Sequence, residues 1–128
     1  MSGEDAIEVL AAVNFAVTGA SHLLRPQAWV EFFTKLRGYG RPAVFFIAFL
    51  ALGYGSLVVA FHPVWSGIPA ALTAFGWAQV AKGAVYFLFP GYALKNLAVV
   101  TPERGWMFQL WGVAVLVFAA LLTWGLWS

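Results

Sequence analysis

Phe75-Gly76-Trp77-Ala78-Gln79-Val80-Ala81-Lys82-Gly83-Ala84-Val85-Tyr86-Phe87-Leu88-Phe89-Pro90 is the stretch on which the reading of the chain turns. It has the length and apolar character of the second half of a membrane-spanning helix, with Pro90 at its stop. Gln79, Lys82 and Tyr86 stand at i, i+3 and i+7, so all three project from one helical face. A lysine at the centre of such a helix costs about 2.5–3.5 kcal/mol on insertion scales. Lys82 lies short of Pro90, in the half of the span nearer the following connection. It either snorkels to the headgroups or serves a hydrated or paired site inside a bundle.

Composition agrees with a bilayer. Of 128 residues 62% are hydrophobic and 9% charged, whereas soluble domains carry about 25% charged residues. The chain is too poor in charge to cover a water-facing shell, and a single polytopic membrane domain, all-α, is the expected class. Cysteine is absent, which removes disulfides, thiolate metal ligands and thiol nucleophiles together. Met1 to Glu8 holds Glu4, Asp5 and Glu8 but no Lys or Arg, the opposite of a signal-peptide start, so the first apolar stretch is expected to remain as a helix.

Four apolar stretches approach the ~20 residues a bilayer core requires: about Ala6–Leu24, Pro42–Phe61, Ile68–Phe89 and Pro102–Trp127. Pro42, Pro69 and Pro102 suit first helical turns, with Thr101 the expected N-cap of the last. Between the first two spans, Trp29, Phe32, Phe33 and Leu36 recur at helical spacing, opposite the Glu31–Lys35 pair, which predicts an amphipathic interfacial helix over 26–38. Gly91 to Val100 is a weaker version. Arg25, Lys35, Arg37 and Arg41 fall in the first long connection, Lys95 and Arg104 in the second, and none in the His62–Gly67 turn. The positive-inside rule then puts both long connections in the cytoplasm and both termini outside.

The halves, about 1–64 and 65–128, look like a tandem repeat. Gly19-Ala20-Ser21-His22-Leu23-Leu24-Arg25-Pro26 aligns with Gly83-Ala84-Val85-Tyr86-Phe87-Leu88-Phe89-Pro90 at Gly, Ala, Leu and Pro. Each half reads as span, proline, amphipathic stretch, basic residue and span, a parallel repeat about the membrane normal. Ala12, Ala16 and Ala20, and Ala70, Ala74 and Ala78, form small-residue stripes expected to mark helix contacts, and Gly53-Tyr54-Gly55 is expected to interrupt the second span.

The pattern Lys82-Gly83, Leu88-Phe89-Pro90, Pro102-Glu103-Arg104 and Leu110-Trp111-Gly112 resembles the YjeT-type bacterial proteins, two-helix inner-membrane proteins of uncharacterised role. The first half resembles the same hairpin through Gly19, Pro26, Trp29 and Arg41, so the resemblance implies two such hairpins in tandem in a bacterial-type inner membrane. Where those hairpins often carry an acidic residue before the glycine, this chain has Thr18 and Lys82. The layout is also similar to the DoxX-like four-helix membrane proteins. Neither resemblance carries over a catalytic residue.

Aligning the halves puts Thr18 and His22 level with Lys82 and Tyr86, while Asn14, Thr18 and His22 share one face. The candidate pocket is therefore Asn14, Thr18, His22, Gln79, Lys82, Tyr86 and Gln109, positive and open to the cytoplasm, suited to an anionic headgroup or carboxylate. A histidine at a helix end is commonly an interfacial hydrogen-bonder. His62 lies at the other end from His22, so the two cannot be axial ligands of one haem. With no buried carboxylate expected and no cysteine, no metal, no cofactor and no catalytic residue is assigned; Ser21 and Ser56 lack a base–acid partner. Trp77, Trp111 and Tyr54 lie deeper than the aromatic belt and either line a groove or pack against lipid.

Packing features outnumber chemical groups, which favours a non-catalytic protein: a structural or accessory subunit of a membrane complex, or a homo-oligomer. The alternatives are a small transporter or channel using Lys82 for an anion, and an enzyme or binding protein for a lipid-like molecule with His22 and Tyr86 as proton-transfer groups. The partners expected are membrane lipids and other membrane subunits or further copies, not nucleic acid, because the basic residues sit at the membrane.

Overall fold

The computed structural model describes residues 2–127, and prolines divide them into helices. The helices are α1 (Gly3–Leu24), α2 (Pro26–Gly38), α3 (Arg41–Phe61), α4 (Pro69–Leu88), α5 (Pro90–Leu97) and α6 (Gly105–Trp127), with one 3₁₀ turn at Pro102–Arg104. There is no strand among the described residues. Ser2 caps α1 by accepting from the Asp5 amide at 3.0 Å, and Glu4 and Asp5 complement the positive end of its dipole. A residue before proline is pushed out of the α region. Accordingly Arg25 (φ −132°, ψ 53°) and Phe89 (φ −133°, ψ 66°) make nearly the same bend, one ending α1 before Pro26 and the other ending α4 before Pro90. Gly40 opens α3 with φ 74°, a left-handed backbone that glycine adopts without the usual side-chain penalty.

The amphipathic segments form as helices over the residues expected of them, α2 closely and α5 as the shorter Pro90–Leu97. Two other expectations change. Thr101 holds the N-cap position before the 3₁₀ turn without a side-chain capping bond. Gly53-Tyr54-Gly55 does not interrupt α3, which runs through it.

Among the described residues, three segments are long and apolar enough to cross a membrane: Gly3–Leu24, Arg41–Phe61 and Pro102–Trp127. α4 has 20 residues but is not in that group; Gln79 and Lys82 lower its hydropathy. Val17 and Phe49, 67% and 68% exposed, exemplify the apolar side chains the bundle turns outward. Water is a poor solvent for so extensive an apolar shell, and lipid a good one.

The close partners are α1 with α6 and α3 with α4. A Cβ added to Gly19 would lie 2.9 Å from Leu116 Cγ and 3.0 Å from Gly112 O; one added to Gly83 would lie 2.7 Å from Leu52 Cβ and 2.9 Å from Ala48 O. The second contact repeats the first at a constant step along the chain, from 19 to 83, from 48 to 112 and from 52 to 116. A Cβ on Gly55 would lie 2.7 Å from Gly76 O, so glycine lets α3 and α4 meet backbone to backbone. The alanine stripes are not the seams: Ala16, Ala74 and Ala78 are exposed.

α2 folds back beside α1 and α6. Trp29 Nε1 donates to Ser21 Oγ at 2.9 Å and the indole stacks on His22 at 4.1 Å, while Phe33 stacks on Phe108 at 5.7 Å. One buried cluster, Ile7, Ala11, Ala12, Val58, Leu72 and Leu122, fills the end of the bundle that holds the start of α1. A second, Val44, Ala48, Tyr86, Ala93 and Leu97, fills the end under α5.

Candidate functional site

Two tightly packed helix pairs with little packing between them leave a cavity of about 570 Å³. All the long helices and α2 contribute to its wall: Asn14, Phe15 and Thr18 from α1; Phe32, Phe33 and Leu36 from α2; Phe46, Ile47, Leu50, Ala51 and Tyr54 from α3; Ala71, Phe75, Gln79 and Lys82 from α4; and Trp111, Ala114, Val115 and Phe118 from α6. Its volume falls within the roughly 300–1,000 Å³ of ordinary ligand pockets, and its chemistry is theirs too: apolar and aromatic walls with a few polar groups. Phe15, Tyr54, Phe75 and Phe118 separate it from the buried cluster around Ala11, with Phe15 edge-on to Phe75 at 5.3 Å.

Local packing sets which groups face inward. Gly83 is pressed against Ala48 and Leu52, fixing the rotation of α4 about its axis. Successive helical residues turn about 100°, so Lys82 points away from that seam and reaches the cavity together with Gln79. Lys82 stands six residues before the last residue of α4, about 9 Å inward at 1.5 Å per residue. Its Nζ lies 5.5 Å from the centroid of the Tyr86 ring, within cation–π range. Among the described residues, Lys82 is the single charged residue of the lining, and no carboxylate faces it there.

Four of the seven sequence-predicted residues meet at this wall: Asn14, Thr18, Gln79 and Lys82. His22, Tyr86 and Gln109 are not part of it. His22 is buried between Trp29 and Phe108, and its Nδ1 donates to Thr18 O at 2.8 Å. Tyr86 is packed in the cluster under α5. Gln109 is exposed, and its Nε2 donates to Leu23 O at 3.4 Å. Residues four apart on a helix advance by about 40°, so the Asn14–Thr18–His22 stripe turns about 80° over its length and leaves the cavity at His22.

Tyr54 is the residue whose role the sequence left open. Its hydroxyl is buried without a hydrogen-bond partner among the described residues, and its side chain lines the cavity. An unpaired buried hydroxyl is costly, by about 1–3 kcal/mol. Trp111 also lines the cavity, while Trp77 is turned outward. Phe46, Leu50 and Trp111 are each more than half exposed, so the cavity communicates with the outer surface between α3 and α6.

The expectation that no carboxylate is buried does not hold. Glu8 is 8% exposed and its Oε2 lies 3.0 Å from Nε2 of the fully buried His62. Those partners are 54 residues apart in the chain, a separation no local pattern reveals. No group of three or more His, Cys, Asp or Glu side chains fit to hold a metal ion occurs among the described residues.

The arrangement defines an α-helical protein with an apolar, membrane-suited exterior and a singly charged apolar cavity. No protein-family model matches the chain, and neither a curated protein nor a solved structure matches it.

Proposed function

We propose that this chain is a membrane-embedded binding protein for one apolar molecule that ends in an anionic group. The observation that carries this reading is the cavity wall: aromatic and aliphatic side chains around one cation among the described residues, Lys82. For an apolar chain or ring system already in lipid such walls offer close van der Waals packing rather than a hydrophobic gain. Its head balances the lysine charge, which a bilayer interior solvates poorly. Access between α3 and α6 suits a molecule arriving from lipid.

In this reading α4 is a fourth span despite its lower hydropathy, because it packs along α3 and turns Lys82 and Gln79 toward the cavity rather than toward lipid. The two halves are a duplicated pair of helices, as the YjeT-type resemblance implies. Support comes from the recurring glycine contact and from the matching bends at Arg25 and Phe89. The basic connections favour termini outside and α2 and α5 at the cytoplasmic face; the same resemblance suggests a bacterial-type inner membrane. The reading as an accessory subunit or homo-oligomer draws on outward apolar faces such as Phe49, which lipid covers as well as a partner does.

The test is native mass spectrometry of delipidated protein in mild detergent, titrated with a long-chain fatty acid. One bound molecule per chain is the expected result. A spectrum that stays ligand-free at saturating fatty acid overturns the proposal.

A further inference from the structure

At the end of the bundle away from α2 and α5, three polar side chains from three segments are buried together. His62, 0% exposed, follows α3; Glu8 comes from α1 and Thr73, 1% exposed, from α4. His62 Nε2 lies 3.0 Å from Glu8 Oε2, and His62 Nδ1 lies 2.8 Å from Thr73 Oγ1. Thr73 Oγ1 is also 2.6 Å from Val64 O and 2.9 Å from His62 O.

These distances fix the direction of each bond. Carbonyl oxygens only accept, so the one hydroxyl proton of Thr73 goes to a carbonyl. Thr73 Oγ1 then accepts from His62, and Nδ1 carries a proton. Between Nε2 and Glu8 a second proton is required. It makes an imidazolium against a carboxylate, or a carboxylic acid donating to a neutral imidazole. Without it, a carboxylate would face the Nε2 lone pair at 3.0 Å. Catalysis by Thr73 is not available, because the hydroxyl is buried and its proton is committed to the backbone.

The position of the cluster gives it a consequence. Glu8 belongs to the α1–α6 pair, and His62 and Thr73 to the α3–α4 pair, so the bond from Glu8 to His62 ties one pair to the other. Beneath it lie Ala11, Val58 and Leu72, and then the aromatic layer that forms one end of the cavity. The ionisable side chains of this end are Glu4, Asp5 and Glu8 on α1 and His62 after α3. α6 has none, and those of α4 are Lys82 and Tyr86 near its other end.

We infer that Glu8, His62 and Thr73 form a buried one-proton site that clasps the two helix pairs and closes this end of the bundle. The inference stands apart from what the cavity holds, since it concerns the opposite side of the aromatic layer.

The absence of native cysteine makes the test direct. Ala11→Cys and Ala93→Cys, both at positions 0% exposed, are introduced separately into the full chain in mild detergent and treated with a hydrophilic maleimide. Ala11→Cys reports the clasped end and Ala93→Cys the far end, with Ala12→Cys replacing Ala11→Cys if the latter disturbs packing. His62→Ala or Glu8→Ala is expected to speed labelling at position 11 at least about tenfold, an opening shift of about 1.4 kcal/mol, and to leave position 93 protected. Glu8→Gln is expected to keep position 11 protected, because its amide N–H donates to Nε2 in place of the shared proton. Unchanged labelling at position 11 in the alanine variants, or equal acceleration at both positions, overturns the clasp. Glu8→Gln labelling as fast as Glu8→Ala overturns the one-proton assignment.

Discussion

Lys82→Met is expected to weaken binding of a long-chain carboxylate by about ten- to a hundredfold, the 1.5–3 kcal/mol that a hydrogen bond to a charged group typically contributes. Methionine is close to lysine in length and fills the same wall, so the apolar part of the site stays intact. The methyl ester of the same acid has no anion to balance and should bind the original and the variant within about threefold of one another, a difference smaller than 1 kcal/mol. Stability should move the other way or not at all. Removing a lysine from the interior of a membrane helix relieves a cost of about 2.5–3.5 kcal/mol on insertion scales, offset by whatever the Tyr86 ring supplies at 5.5 Å. Fatty-acid titration, followed by thermal unfolding of the same samples in detergent, separates the two effects. Equal loss of acid and ester binding would show that Lys82 supports the shape of the cavity rather than recognising a head.

The second large effect belongs to the seams. Gly83→Ala puts a methyl group 2.7 Å from Leu52 Cβ, 2.8 Å from Leu52 N and 2.9 Å from Ala48 O. Two of these neighbours are backbone atoms, which yield only if α3 and α4 separate. Overpacking of this kind costs about 1–3 kcal/mol. Gly112→Ala, with its methyl 2.7 Å from Gly19 O and 3.0 Å from His22 Cβ, should cost as much by prising α1 from α6. Gly53→Ala is the control: its Cβ meets nothing within 4 Å, and replacing glycine inside a helix gains about 0.5–1 kcal/mol. Denaturation by mixed detergent should rank the three with Gly53→Ala most stable and the two seam variants well below the original chain. Gly83→Ala should also reduce fatty-acid binding, because turning α4 about its axis moves Lys82 and Gln79. A seam variant as stable as Gly53→Ala would mean that the helices have room the structure does not give them.

The helices themselves were legible because their boundaries are written locally. Pro26, Pro42, Pro69, Pro90 and Pro102 mark helix starts, and the spacing of Trp29, Phe32, Phe33 and Leu36 identifies α2 without reference to any other part of the chain. Which helices pair is not a local property. Gly19 and Gly112, or Gly55 and Gly76, announce small surfaces but not each other, and the more regular alanine stripes drew attention to faces that are in part exposed. The cavity was half legible for the same reason. Aligning the halves put Thr18 level with Lys82, and helical spacing put Asn14 and Gln79 on their faces, but His22 turns off that face, and its place beside Trp29 depends on how α2 folds back. Glu8 and His62 looked like residues of a terminus and a turn. Their burial goes with Thr73 meeting the imidazole while two backbone carbonyls converge on the Thr73 hydroxyl, a matter of three dimensions only.

The space between the two helix pairs is proposed to hold an apolar molecule with its head at Lys82. The most direct measurement is a crystal structure of the protein with a fatty acid brominated near the end of its chain, the bromine located by anomalous scattering. One bromine peak is expected inside the cavity, against Phe15, Tyr54 and Phe75, with carboxylate density beside Lys82. Bromine confined to the outer faces of the helices, along Val17 or Phe49, with the cavity filled by ordered water or by rearranged side chains, would contradict it.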